Sequence, residues 1–157
     1  MKNIILLVLI TLVSCKENKN TSEFNAIIAE SYNRCNQKDN CVIDMGEIFP
    51  FEWDKMYVFS MDHYPEADAK AISKITGVKY NGKRKFLENR SIIFINEGQI
   101  VYEVLTYYEP EGYIDTKHMF VEFIYGNDFP PYFTSDNSKF KLTKFEKGLG
   151  FNLEYIR

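Results

Sequence analysis

The chain has 157 residues, with 19 lysines and arginines against 22 aspartates and glutamates, a net charge of −3. That balance argues against a nucleic-acid partner, which asks for a basic surface, and the length fits one domain built on a single core. Aromatic residues reach 16%, mostly Phe and Tyr, which favours a β-rich fold.

The N-terminus reads as an export signal. Lys2 supplies a positive start, and Ile4 to Val13 is an apolar run broken only by Thr11. Ten residues at about 1.5 Å each cover roughly 15 Å, half of a hydrocarbon core, so this run is too short to span a membrane. The sequence Leu12-Val13-Ser14-Cys15 at its end resembles the lipobox of bacterial lipoproteins, in which cleavage falls before a cysteine whose thiol carries lipid. The resemblance implies that residues 1–14 are a signal peptide, that Cys15 is lipidated, and that 15–23 is the lipidated cysteine with a polar tether. The mature chain then holds 18 basic against 22 acidic residues. Lys16 is not the aspartate that marks inner-membrane retention, so the expected address is the cell envelope, the outer membrane in particular, facing the periplasm or the surface.

Residues 24–157 are expected to form a single α+β domain. Ser22 can cap a helix to about Gln37, with Phe24, Ile27, Ile28, Tyr32 and Cys35 on one face. Cys35 and Cys41 are the two cysteines left after lipidation, and an exported compartment favours their disulfide. Six residues along one helix would hold their Cα atoms about 9 Å apart, so the helix must end between them. Cys41 to Met45 and Trp53 to Ser60 read as strands, separated by Pro50. Pro65 opens a second helix with Ala67, Ala71, Ile72 and Ile75 on its buried stripe and Gly77 as its stop.

Lys79 to Arg90 reads as a basic loop containing the turn pair Asn81-Gly82. "SIIFIN" and "QIVYEVLTYY" flank Glu97-Gly98 as a hairpin, and "KHMFVEFIY" from Lys117 supplies another strand. "KFKLTKFE" and "GFNLEYI" form the last hairpin. Successive hairpins predict an antiparallel β-sheet of about five to seven strands, covered on one face by two amphipathic helices.

No phosphate loop, nucleophile elbow or helical zinc motif occurs, so no catalytic residue, cofactor or metal is assigned. His118 and Glu122 would sit about 13 Å apart along one strand, too far to share a metal ion. Asp62-His63 reads as loop and helix-start chemistry, and Glu109, Glu111 and Asp115 as a solvated turn. The candidate partner-binding residues are Lys83, Arg84 and Lys85 in the basic loop and Phe129, Tyr132 and Phe133 in the proline-interrupted "NDFPPYF".

"FEWDKMYVF" is the most distinctive internal stretch and is similar to strands of small bacterial lipoproteins that carry no activity over to it; core packing, with Asp54 capping a turn, accounts for it. The expected function is therefore a lipid-anchored, non-catalytic binding or accessory module for an envelope protein. The rivals are an immunity-type or inhibitor lipoprotein and a glycan-binding one.

Overall fold

The computed structural model describes residues 19–36, 38–60, 64, 68–82, 89–107, 120–146 and 149–157. In chain order these form α1 (Lys19–Arg34), a 3-10 turn (Lys38–Asn40), β1 (Cys41–Asp44), α2 (Met45–Ile48), β2 (Lys55–Phe59), α3 (Ala69–Thr76), β3 (Asn89–Asn96), β4 (Gln99–Tyr107), β5 (Phe120–Ile124), β6 (Lys139–Lys144) and β7 (Gly150–Tyr155). The class is α+β, as expected. The strands, however, build two sheets rather than one: a four-stranded sheet in the order β1-β6-β7-β5 and a three-stranded sheet in the order β2-β3-β4.

The reason lies in the apolar runs of β2 and β3. Met56, Val58, Ile92 and Phe94 belong to one core, shared with β1, β5, β6, β7 and α1, while Tyr57, Phe59, Ile93 and Ile95 belong to a second core with Ile72 of α3 and Tyr80. Successive side chains of a strand point to opposite faces, so these two strands are buried on both. Their lack of polar alternation is the signature of a sandwiched sheet. It also separates the two main helices. α1 packs into the core between the sheets, and α3 covers the opposite face of the three-stranded sheet, so they do not share a face as expected from the sequence.

All pairings are antiparallel except β5 with β7, which is parallel over Phe120–Ile124. The hairpin between β3 and β4 forms at the expected place, with Glu97 at φ 48° and Gly98 at φ 73°. The Asp54 carboxylate accepts the Glu97 N–H at 2.6 Å, the turn-capping role expected of it. Gly77 ends α3 at φ 72°, its N–H donating to the Ser73 carbonyl, and Asp68 caps the helix start by accepting the Ala71 N–H at 2.7 Å. Pro65 and Ala67, expected at that start, lie outside the described residues.

α1 ties the two sheets together. Its buried residues Phe24 and Ile28 lie in the first core, and Cys35, just past its end, is bonded to Cys41 at the start of β1, with Cα atoms 5.5 Å apart. The helix ends at Arg34, before both cysteines and short of the expected Gln37, so neither cysteine is held on it and the bridge can close. A bridge closing so short a loop contributes on the order of 2 kcal/mol in the chain-entropy model. α2 was not legible from periodicity, being four residues long; Asp44 caps it by accepting the Gly46 N–H at 3.0 Å.

One further segment joins the sheets. Phe133 makes an isolated antiparallel bridge to Met56, with N–H to carbonyl distances of 2.9 Å in both directions. Pro130 and Pro131 precede it and have no N–H to donate, so the pairing cannot extend along β2.

Candidate functional site

The three aromatic candidates of the 129–133 segment part company. Phe133 is fully buried, its ring 5.0 Å from Phe129, 5.0 Å from Phe140 and 5.2 Å from Tyr155. Phe129 is half-buried against Tyr125 and Phe123. Tyr132 alone is exposed, at 38%, with its ring 5.6 Å from Tyr57 and the Lys55 ammonium 5.0 Å above it. Phe133 therefore sits inside the core, where bridging to Met56 holds it.

Tyr132 belongs to an aromatic patch at the outer edge of β2. Tyr57 stacks on Phe59, Phe59 meets Tyr64 at 5.2 Å, and the Tyr64 hydroxyl donates to the Pro131 carbonyl at 3.4 Å. Burial raises the pKa of Tyr57, with further contributions from Tyr132 and Tyr64, and burial alone raises that of Tyr64. Both phenols are neutral at physiological pH and act as hydrogen-bonding groups rather than charges.

A second feature is an open cleft of about 420 Å³ lined by Gly46, Phe49, Pro50, Phe51, Glu52, Trp53 and Ser135. It falls on the stretch the sequence marks as distinctive, and its floor is core: Trp53 is 5% exposed and Phe49 6%. The Trp53 indole N–H is buried without a hydrogen-bond partner among the described residues. Gly46 belongs here because a Cβ would lie 2.4 Å from the Ser135 carbonyl oxygen. Periodicity gave no signal for this wall, which depends on a one-turn helix and a distant loop.

The third feature is the edge of β4, where α1 begins. Asn20 Nδ2 donates to the Glu103 carbonyl at 3.0 Å and Thr21 Oγ1 to the Leu105 carbonyl at 2.7 Å, while the Tyr102 hydroxyl donates back to the Asn20 carbonyl at 2.8 Å. These bonds occupy carbonyls that an edge strand otherwise leaves open. They also correct the expected tether: from Lys19 onward it is helix, docked on the sheet.

The Tyr80 hydroxyl donates to the Glu103 carboxylate at the same edge. Burial pushes the Glu103 carboxyl above its ordinary value, outweighing the opposite effect of the Tyr80 bond. Tyr102 is pushed up to about 12 by burial and by the charge and hydrogen bond of Glu23.

A carboxyl whose folded pKa exceeds its unfolded one loses stability as it ionises, between the two values. Glu103→Gln removes that loss. The variant should gain on the native chain as pH rises from about 4 to about 7 in urea unfolding; a gap independent of pH would show that Glu103 ionises freely in the fold.

Cys15, Lys83, Arg84 and Lys85 lie outside the described residues, as do Asp62, His63, Glu109, Glu111, Asp115 and His118. Both flanks of the 83–88 stretch are described. Gly82 lies against the Tyr80 ring, where a Cβ would be 2.1 Å from Cζ, and Asn89 and Arg90 are already strand, paired with Tyr107 and Thr106. The basic loop is thus shorter than expected. Among the described residues no three His, Cys, Asp or Glu side chains converge to hold a metal ion. No family model, curated protein or solved structure matches the chain.

Proposed function

We propose that the chain is a lipid-anchored protein of the cell envelope, favouring the outer membrane, whose α+β domain is a non-catalytic binding or accessory module for a protein partner. The observation that carries this reading is the docking of the first turn of α1 on β4, four residues after the lipobox cysteine. Four residues reach at most roughly 14 Å. An acyl anchor on Cys15 would therefore hold the folded body against the membrane surface rather than on a long leash. Acyl chains on a cysteine give stable attachment when two or more are present, and confinement to a surface raises the effective concentration of a binder for partners there.

The contact residues proposed are Tyr132, with exposed Lys55 beside it and buried Tyr57 backing its ring, and the basic Lys83, Arg84 and Lys85. Exposed Tyr backed by other rings is the kind of anchor that concentrates binding energy. An immunity-type or inhibitor role would use the same surface on a single protein. The glycan reading draws on the cleft beside Trp53, whose aromatic walls and exposed Glu52 suit stacking and hydroxyl recognition; quenching of Trp53 fluorescence by polysaccharide would favour it.

Among the described residues no helix is long and apolar enough to cross a membrane; the attachment proposed is the acyl anchor on Cys15. Cys15→Ser should abolish incorporation of labelled palmitate into the chain. A variant that takes up the label as fully as the native chain would contradict the anchor.

A further inference from the structure

Resting on the protein-partner reading, we infer that the cleft beside Trp53 receives an arginine side chain of the partner, its guanidinium lying against the aromatic wall and pairing with the Glu52 carboxylate. The occupant has to match a cleft that is apolar in its walls and acidic around its rim.

Phe49, Pro50, Phe51 and Trp53 line the cleft, and its volume of about 420 Å³ is ample for one long side chain. The rings are held in place by one another. Phe49 and Phe51 lie 5.4 Å apart, Phe51 stacks on Tyr102 at 4.8 Å, and Phe94 meets Phe49, Phe51 and Trp53. Aromatic faces attract cations, and arginine in particular stacks its planar head on a ring while its fork binds a carboxylate. The Trp53 indole N–H is buried without a hydrogen-bond partner among the described residues. The backbone carbonyls that accompany an arginine in a peptide are acceptors of the kind it lacks.

Charge sets the sign of the occupant. The two segments that build the cleft, residues 44–54 and 134–138, contain five acidic residues and no basic one. Lys139 stands opposite Asp44 across β1 and β6 and offsets that carboxylate. Exposed Glu47, Glu52, Asp54 and Asp136 remain, and Glu97, whose N–H donates to Asp54, brings one acid more.

The neighbouring bases do not cancel this charge. Lys55 is turned to the other face of its strand, with its ammonium 5.0 Å above Tyr132, which packs on Tyr57 of the second core, whereas Trp53 belongs to the first. Lys19 and Glu23 at the start of α1 contribute one charge of each sign. β3, eight residues long, carries the chain roughly 23 Å from Asn89, which follows the basic stretch, to Asn96 beside Glu97. A cleft rimmed by charges of one sign concentrates counter-charged groups at its mouth.

The cleft also adjoins the contact surface already proposed. Ser135 lines it, and exposed Tyr132 lies three residues earlier, within roughly 10 Å along the chain. One partner segment can cover both.

The test follows the indole N–H resonance of Trp53, the one tryptophan of the chain, in isotope-labelled lipidated chain extracted from membranes into a neutral detergent. It is titrated at low salt with acetyl-Gly-Arg-Gly amide and with the citrulline counterpart, which has nearly the same shape and no charge. The arginine peptide should give a saturable shift, and the citrulline peptide should bind several-fold more weakly. Glu52→Gln should weaken the arginine peptide several-fold, while Glu154→Gln, which removes an exposed acid on β7, should leave it unchanged.

No saturable shift with the arginine peptide, equal binding of the two peptides, or equal effects of the two substitutions overturns the inference. A shift produced by tetra-N-acetylchitotetraose in place of the arginine peptide overturns it in favour of the glycan reading. Cross-linking to solubilised envelope judges the reading underneath. Partner capture that persists undiminished in Glu52→Gln overturns this inference alone, whereas a native chain that captures no protein overturns the partner reading, and this inference with it.

Discussion

Phe133→Ala lowers the unfolding free energy by about 3–5 kcal/mol, while Tyr132→Ala, one position earlier, changes it by about 1 kcal/mol or less. The contrast follows from what each ring touches. Phe133 is fully buried and meets Phe129, Phe140 and Tyr155, so its removal opens a cavity at the point where the 129–134 segment bridges to Met56. Tyr132 is partly exposed and packs only along one side, against Tyr57 and the Lys55 ammonium.

Urea unfolding followed by the fluorescence of Trp53, the one tryptophan of the chain, gives both values. Equal effects at the two positions would mean that Phe133 is not a core residue and that the bridge to β2 is absent. Binding assays divide the pair the other way. Tyr132→Ala should weaken partner capture in a chain that remains folded, because its ring is the one of the three that faces solvent.

Phe94→Ala is expected to cost about as much, 3–5 kcal/mol, and to alter the fluorescence of the folded state as well as its stability. Phe94 is fully buried on the central strand of the three-stranded sheet, with its ring 5.0 Å from Phe49, 5.4 Å from Phe51, 5.4 Å from Trp53 and 5.9 Å from Tyr102. It thus supports every aromatic wall of the cleft from beneath. Removing it takes away the edge-on neighbour of the indole, so the emission of native Trp53 should shift before any denaturant is added. A variant as stable as the native chain, with unchanged emission, would show that the 49–53 segment is not packed on β3.

The parts of this fold that local chemistry governs were legible in the residues. The turn at Glu97-Gly98, the stop at Gly77, the apolar stripe of α1 and the Cys35–Cys41 bridge all depend on a few neighbouring positions, and each is found where those positions place it. Sheet membership was not legible. "SIIFIN" and "KMYVF" are apolar on both faces, and a run without alternation does not say which partner each face meets. The parallel pairing of β5 with β7 was equally hidden, because β6 lies between them in the chain and hairpin logic pairs sequence neighbours.

The candidate site shows the same division. The exposed ring of Tyr132 and the buried ring of Phe133 are adjacent in a proline-rich loop, and only the bridge to Met56, far away in the chain, distinguishes them. Likewise, the polar residues Asn20 and Thr21 read as tether. What turns them into a docking turn is the open edge of β4, which no local pattern announces.

Mass spectrometry of the N-terminal peptide from membrane-extracted chain tests the central claim most directly. A chain that begins at Cys15 and carries acyl mass on that residue is the predicted result, and it would set the folded body within four residues of the lipid. A chain that retains residues 1–14, or that begins elsewhere with an unmodified Cys15, would contradict the anchor.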